Sequence, residues 1–318
     1  MKLGSSTGAI RAFAMAIVAL AVAVAAFLGG THIADANQAP IPVMPIGPTL
    51  PAGMSMQGIQ VSLHTMQVGD MTRSYEQFLP VTPLSTSAPL IIMLSGSGAT
   101  LSLETGRDDL IPYAKAGKAD LVYPVDYKQS WNAGGCCQQA AAQNVNDVGF
   151  IKQLVTTLDP GHQRPVYLVG YSNGARLAYR FACSDPGVFD AIAAVKGDPE
   201  PGCDVKDPQD ILQFAALNDD YVPYRPGEKG KESPAATVEN ARLRSEDKCS
   251  GAGTTTHPGS TLALTRWTDC ADGARLEFAV YSTGAHGFPD ASATQPSAAQ
   301  VMWAFFTNTT TIAPVPTS

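Results

Sequence analysis

A short segment around Ser172 has the residue types of an acyl-transfer site. Residues 170–174 read Gly-Tyr-Ser-Asn-Gly, the pattern G-x-S-x-G, and lie between an apolar run at 166–169 and a helical pattern that begins at Ala175. Such a strand–turn–helix unit lifts the serine above the sheet, and the helix N-terminus offers N–H donors to a developing oxyanion. We therefore predict that Ser172 is a nucleophile. The alternative is an ordinary turn in which Ser172 only caps the helix.

The histidine that would activate this serine is expected later in the chain, because the order for this kind of turn is serine, carboxylate, histidine. Of the five histidines, His257 and His286 follow Ser172. His286 lies in residues 284–289, Gly-Ala-His-Gly-Phe-Pro, between the last predicted strand and the last predicted helix. His257 lies in a Thr-rich segment. We predict His286 as the general base and His257 as a surface residue.

Two adjacent aspartates are candidates for the carboxylate that orients the imidazole. Asp219 and Asp220 follow the strand predicted at 211–217, at the end where this carboxylate belongs. Their spacing does not separate them. For either one, the alternative is a turn-capping carboxylate.

Backbone donors for the oxyanion are predicted on two segments. Residues 95–98, Ser-Gly-Ser-Gly, follow the apolar strand that ends at Leu94. The amide of Ser97 would act together with the amide of Asn173. The alternative for residues 95–98 is a plain flexible loop.

Three aromatic residues near these segments are candidates for the substrate cleft. Trp131, Tyr127 and Tyr221 are predicted to line it, with a position in the core as the alternative. No metal or other cofactor is predicted, because the cysteines do not form matched C-x-x-C pairs.

The elements around these residues predict an α/β protein. Short apolar runs alternate with helical patterns, which indicates a mostly parallel, doubly wound sheet with helices on both faces. A β-hairpin is predicted at 58–79, ahead of this alternation. Residues 225–273 form an excursion before the last strand, with a polar helix followed by a Gly/Thr-rich loop. The catalytic domain is placed at 57–307, and the tail at 308–318 is predicted to be disordered.

The composition limits the classes of partner. The chain has 318 residues, 45% hydrophobic and 15% charged, with a formal net charge of −7. This balance excludes a basic nucleic-acid-binding protein, and the apolar content excludes a disordered chain. A monomer without nucleic-acid partners is predicted.

The N-terminus has the pattern of a secretory signal peptide. Lys2 and Arg11 precede an apolar run at 12–28, and Ala34-Asp35-Ala36 offers a cleavage site after Ala36. An uncleaved membrane anchor is the alternative. Residues 37–56 are predicted to be an extended leader. The mature protein is therefore predicted to be secreted, without stable membrane association.

Six cysteines in an exported chain predict disulfides. The favoured pair is Cys249–Cys270, which flanks a Gly/Thr-rich stretch, and Cys183–Cys203 is the second. The adjacent residues Cys136 and Cys137 either bridge each other or reach separate partners. Reduced, buried thiols are the alternative for all six.

Two further motifs carry a resemblance to a known family. Residues 131–137 read Trp-Asn-Ala-Gly-Gly-Cys-Cys, and residues 146–151 read Asn-Asp-Val-Gly-Phe-Ile. With the serine motif, they resemble the secreted polyhydroxybutyrate depolymerase-like esterases, which are grouped with feruloyl and acetylxylan esterases. The family pattern D-x-x-V-P-Y falls on Asp219, which this resemblance favours over Asp220. The pattern G-x-H-x-x-P falls on His286.

The chain departs from that family at two positions. It has Ser95-Gly96 where the family usually has His-Gly, and Ala175 where the family usually has a second glycine after the serine turn. Neither departure removes a member of the predicted triad.

The resemblance implies an α/β-hydrolase fold and a secreted serine esterase. The expected substrates are carboxylic esters: hydroxybutyrate oligomers, feruloyl or acetyl esters, or short-chain acyl esters. A secreted acyltransferase with the same triad is one alternative. A catalytically inactive binding protein with this fold is another.

Overall fold

The computed structural model shows the predicted alternation of strands and helices. It describes residues 55–56, 58–99, 105–228, 230, 234–292 and 294–316. The predicted signal peptide, and the part of the leader before Ser55, lie outside the described residues. The strands are β1 Ser55–Met56, β2 Ile59–Val68, β3 Met71–Pro80, β4 Leu90–Leu94, β5 Asp120–Pro124, β6 Val166–Tyr171, β7 Ala191–Val195, β8 Ile211–Ala216, β9 Thr254–Thr256, β10 Leu262–Trp267 and β11 Leu276–Tyr281. The helices are α1 Ile111–Lys115, α2 Gln138–Ala142, α3 Asp147–Leu158, α4 Asn173–Ser184, α5 Ala236–Glu246 and α6 Ala298–Phe306.

Six parallel strands form the centre of the sheet. Within the described residues, eleven strands form one sheet in the order β1-β2-β3-β5-β4-β6-β7-β8-β11-β10-β9. The strands from β5 to β11 in that order are parallel. Continuous apolar runs such as Leu90–Leu94 are typical of strands covered on both faces, and β4 is buried along its whole length. The predicted doubly wound sheet is confirmed, and antiparallel strands extend both of its edges.

Helices cover the two faces of the sheet. Successive side chains of a strand point to opposite faces. Leu168 of β6 accordingly packs in a cluster with Phe150 of α3 and Leu177 of α4. Its neighbour Val169 packs in a second cluster with Met302 of α6.

The excursion contains more sheet than the sequence predicts. Helix α5 is present, but the predicted Gly/Thr-rich loop holds β9 and β10, which pair antiparallel beside β11. Alternate side chains of β10 are buried, among them Leu262 and Leu264. The loop interpretation was wrong because β9 consists of three exposed threonines, and β10 is buried on one side only, so neither is a continuous apolar run.

The structure describes the C-terminal tail as far as residue 316, without helix or strand after α6. Ile312 and Val315 are partly buried against the cluster that contains α6. Gln300 of α6 donates a hydrogen bond to the Ala313 carbonyl at 2.9 Å. These apolar contacts hold a segment whose Pro/Thr composition suggested disorder.

All six cysteines form disulfides. Both predicted pairs, Cys183–Cys203 and Cys249–Cys270, are present, and Cys136 bridges Cys137. This excludes the reduced-thiol alternative and answers the question left open for the adjacent pair. None of the helices that the structure describes is long and apolar enough to cross a membrane.

Candidate active site

Ser172 lies on a tight turn between β6 and α4. Its φ is +51°, a region that non-glycine residues rarely adopt, and its amide donates a hydrogen bond to the Val195 carbonyl at 2.9 Å. The flanking glycines are required by close packing. A Cβ on Gly170 would lie 2.3 Å from the Gly174 carbonyl oxygen, and a Cβ on Gly174 would lie 2.4 Å from the Leu94 carbonyl oxygen. The G-x-S-x-G spacing therefore lets β4, β6 and α4 meet below the serine.

The structure brings Ser172, His286 and Asp219 together. His286 Nε2 lies 3.0 Å from Ser172 Oγ, and His286 Nδ1 lies 3.0 Å from each carboxylate oxygen of Asp219. Asp219 Oδ1 also accepts hydrogen bonds from the amides of Tyr221 and Val222, at 2.8 and 3.0 Å. This arrangement can pass the hydroxyl proton to Nε2 while the buried carboxylate stabilises the resulting imidazolium.

The other two candidates, Asp220 for the orienting carboxylate and His257 for the general base, are exposed on the surface. Asp220 is exposed to solvent, whereas Asp219 is buried. His257 is exposed between β9 and β10.

The loop that carries His286 is held by buried donors. Lys196 is 1% exposed, and its Nζ donates to the carbonyls of Gly284, Ala285 and Gly287 at 3.1, 2.6 and 2.5 Å. The Tyr171 hydroxyl donates to the carbonyl of His286 itself. Burial lowers the pKa of Lys196 to about 8, against the opposing effect of the Asp219 and Asp290 charges. Four consecutive carbonyls around the imidazole thus have fixed donors.

The predicted oxyanion donors lie beside the serine. Ser97 and Asn173 line one cavity with Ser172. Asn173 is the first residue of α4, where backbone N–H groups have no acceptor within the helix. Gly96 approaches so closely that a Cβ there would lie 2.7 Å from the Tyr171 ring and 3.4 Å from Ser172 Cβ. The Asn173 amide is therefore at the helix start beside the hydroxyl, and Ser97 lies in the wall of the same cavity.

Trp131 does not line the cleft, so that prediction is wrong. The residue is fully buried, and its Nε1 donates to the Ser95 carbonyl at 3.0 Å. Its amide donates to Asn173 Oδ1 at 2.7 Å, and its carbonyl accepts from Asn173 Nδ2 at 3.1 Å. Trp131 therefore braces the segments on which Ser95 and Asn173 lie. A large aromatic next to a site can serve as packing that supports it.

The other two aromatic candidates differ. Tyr221 is 39% exposed, lines the cavity, and stacks on the His286 ring with centroids 4.7 Å apart. The Tyr127 hydroxyl instead donates to Gln143 Oε1 at 2.8 Å on the surface, away from the described cavity lining. Of the three aromatic residues predicted to line the cleft, Tyr221 is therefore the one placed to contact a substrate.

Ser95, which stands where the resembled family usually has a histidine, forms a side-chain hydrogen bond. Ser95 Oγ donates to Asp126 Oδ2 at 3.0 Å. Burial raises the pKa of Asp126 to about 6, although Ser95 and the Gln129 backbone lower it. The Ser95–Asp126 contact therefore ties the loop of Ser97 to the segment after β5.

The cavity over the serine has a volume of about 480 Å³. Its wall includes Cys137 of the adjacent-cysteine bridge, Gln138 and Arg107, in addition to Ser172, His286 and Tyr221. Among the residues that the structure describes, no group of acidic, histidine and cysteine side chains could hold a metal ion.

Comparisons with known proteins give relatives at low identity. No family model matches the chain. A curated protein of Nocardia uniformis subsp. tsuyamanensis named "Putative esterase NocK" is 28% identical over 179 residues, which is 54% of this chain. The match covers 51% of that protein, so the chain spans about half the length of this relative.

Solved structures resemble the chain at low sequence identity. An acetyl xylan esterase from Aspergillus awamori, 13% identical, aligns with a TM-score of 0.54 over 77% of this chain and 99% of that chain. The chain has the α/β-hydrolase fold. A thermostable esterase, 16% identical, aligns with a TM-score of 0.47 over 70% of this chain and 55% of that chain.

The sequence did not indicate that Lys196, Tyr171 or Arg107 lies near the site. Lys196 offered one clue, since a lysine directly follows the apolar strand β7. Tyr171 is the variable residue of the serine motif, and Arg107 is one arginine in a polar turn. Their proximity to the site depends on which loops the fold brings together.

Proposed function

We propose that this protein is a secreted serine esterase that hydrolyses carboxylic esters. The observation that carries the proposal is the hydrogen-bonded chain from Ser172 Oγ to His286 Nε2 and from Nδ1 to Asp219, with each distance at 3.0 Å. The names of the curated relative and of the xylan esterase neighbour support an ester substrate. The N-terminal pattern at 1–36 and the three disulfides support export.

In the proposed mechanism, Ser172 Oγ attacks the ester carbonyl while His286 Nε2 takes its proton. Asp219 holds the imidazole in the tautomer that presents Nε2 as acceptor. The amides of Ser97 and Asn173 donate to the tetrahedral oxyanion, and loss of one such donor costs on the order of 10²–10³ in rate. His286 then protonates the leaving alcohol, and water releases the acyl group by the same steps in reverse order.

Replacement of the nucleophile tests the proposal. Ser172→Ala is expected to abolish hydrolysis of p-nitrophenyl acetate and butyrate, because within the described residues Ser172 Oγ is the hydroxyl bonded to His286 Nε2. The matched control is Ser87→Ala, at an exposed serine before β4, which is expected to keep wild-type rates. Circular dichroism checks that both variants are folded. Full activity in Ser172→Ala would overturn the assignment.

Two alternatives use the same residues differently. An acyltransferase would pass the acyl group to an added alcohol, and this would appear as a new ester product. An inactive binding protein would not react with a fluorophosphonate probe, whereas the proposed nucleophile is labelled at Ser172. A panel of feruloyl, acetylxylan, hydroxybutyrate-oligomer and p-nitrophenyl esters would rank the substrate classes.

A further inference from the structure

We propose that Arg107 makes the cavity beside Ser172 selective for esters that carry a carboxylate. The proposal rests on the esterase function proposed above and narrows its substrate class. The favoured substrate has an anionic group on its acyl or alcohol part, within reach of the guanidinium when the ester carbonyl is at Ser172.

Arg107 lies in the wall of the same cavity as the serine and the imidazole. With a volume of about 480 Å³, this cavity suits a small-molecule substrate. Of the described residues that line it, none is an aspartate or a glutamate. Asp219 lies behind His286 and is only 6% exposed. A bound substrate therefore meets a permanent positive charge without a facing carboxylate.

The guanidinium is not used to hold the fold together. Arg107 is exposed, and in the described part of the chain it takes part in none of the ion pairs. Its acidic neighbours are engaged elsewhere. Asp108 accepts from the Tyr123 hydroxyl at 2.7 Å and from the Leu110 amide at 3.0 Å, and burial raises the pKa of Asp109, against the opposing effect of the Ser297 side chain.

The same contacts fix the backbone next to Arg107. Asp108 is 1% exposed and ties this turn to β5 through Tyr123. The turn leads directly into α1, which begins at Ile111. Within the described residues the Arg107 guanidinium is therefore unpaired on an anchored turn, which limits the entropy lost when it binds a ligand.

The positive charge of Arg107 is opposite in sign to the net charge of the chain. With a net charge of −7, the protein as a whole repels anionic substrates. An arginine in the wall of the same cavity reverses that field locally, and its planar group matches a carboxylate with two parallel hydrogen bonds. The cavity should therefore discriminate between otherwise similar esters by charge.

Two matched substrates test this selectivity: mono-p-nitrophenyl succinate, and p-nitrophenyl butyrate, which has the same number of acyl carbons and no carboxylate. The readout is the ratio of kcat/KM for succinate to kcat/KM for butyrate. Wild type is expected to favour succinate. Arg107→Gln is expected to lower the ratio about tenfold, mainly through KM for succinate. Arg107→Lys should keep part of the preference, because the charge stays and the planar pairing is lost.

The controls separate a local contact from general electrostatics. Arg225→Gln removes an exposed arginine that stacks on Tyr224 and does not line this cavity, so it should leave the ratio unchanged. Raising the salt to about 0.5 M should weaken the wild-type preference. A ratio unchanged in Arg107→Gln, or lowered equally by Arg225→Gln, overturns the proposal. Absence of hydrolysis of both esters by wild type overturns the proposed esterase instead.

Discussion

At the scale of single residues, the chemistry of the site depends on how His286 is held. Its ring contacts Ser172, Asp219 and Tyr221, and its loop is bonded at four successive carbonyls by Lys196 and Tyr171. An ammonium group has three N–H donors, and Lys196 uses one for each of its three carbonyls. A neutral amine has only two, so deprotonation leaves one carbonyl without its donor.

Lys196 should therefore limit activity at alkaline pH. Because its pKa is lowered to about 8, we expect kcat/KM of wild type to fall above about pH 8. Lys196→Arg keeps its charge at all accessible pH values and should move this fall upward, provided that the longer side chain fits. Lys196→Met should lower kcat more than it raises KM, since it misplaces the base. The measurement is the pH profile of p-nitrophenyl butyrate hydrolysis from about pH 6 to about pH 10.

Stability distinguishes this effect from simple unfolding. The folded-state pKa of Lys196 lies below its ordinary value of 10.5, so between about pH 8 and 10.5 the unfolded chain binds more protons. The contribution of Lys196 to the free energy of unfolding therefore rises with pH in the same interval where activity falls. A pH profile of Lys196→Arg identical to that of wild type would contradict the positioning role.

At the scale of elements, one buried ion pair joins segments that the sequence motifs mark separately. Arg73 of β3 donates to Asp147 at the start of α3 at 2.7 Å, and the side chains are 4% and 0% exposed. Asp147 also accepts from the Asn132 amide at 2.7 Å. Burial raises the pKa of Asp147, against the opposing effect of Arg73. The pair thus fixes the segment of Trp131, which in turn contacts Asn173 beside the serine.

Removing one partner of this pair should be strongly destabilising. Arg73→Met is expected to lower the free energy of unfolding by about 3–5 kcal/mol, because it leaves a buried carboxylate without its cation. The double variant Arg73→Met/Asp147→Leu should recover part of that loss. Urea denaturation followed by fluorescence measures both.

The control for this prediction is an exposed pair on the same helix. Lys152 of α3 pairs with Asp185 on the surface, and Lys152→Met should cost less than about 1 kcal/mol. Equal losses in Lys152→Met and Arg73→Met would show that burial of the Arg73 pair has no special importance.

At the scale of the whole molecule, three disulfides reinforce a protein in which few residues are charged. Cys183–Cys203 and Cys249–Cys270 close segments of 20 and 21 residues, for which chain-entropy models give about 3 kcal/mol each. The first joins the end of α4 to the segment after β7, and the second closes the edge hairpin of β9 and β10. In an oxidising compartment, both disulfides would stay formed and restrain the unfolded chain.

Thiol titration of the purified, oxidised protein tests this arrangement. We expect no reactive thiol in the denatured, unreduced chain and six after reduction, since all six cysteines are paired. Reduction should also lower the melting temperature, because the unfolded chain gains conformational freedom. Detection of free thiols before reduction would contradict the pairing.

The parts of the fold that follow local patterns could be predicted from the sequence. Buried parallel strands are continuous apolar runs, so the central sheet was predictable. The edge strands β9 and β10 were not, because β9 is fully exposed and β10 is buried on one side only. The serine turn was predictable because G-x-S-x-G reflects close backbone contacts between neighbours in sequence. Chain order restricted the histidine to two residues and the carboxylate to an adjacent pair.

The sequence by itself determined the order of the central strands along the chain, the serine turn, and a short list of partners for it. Only the tertiary structure decided which partners meet: Asp219 with His286, Arg73 with Asp147, and Lys196 with the histidine loop. It also placed Trp131 in the core and Arg107 in the cavity wall. The physical reason is distance along the chain. Local patterns report the covalent neighbourhood, while contacts between residues 67 to 89 positions apart depend on the packing of the whole sheet.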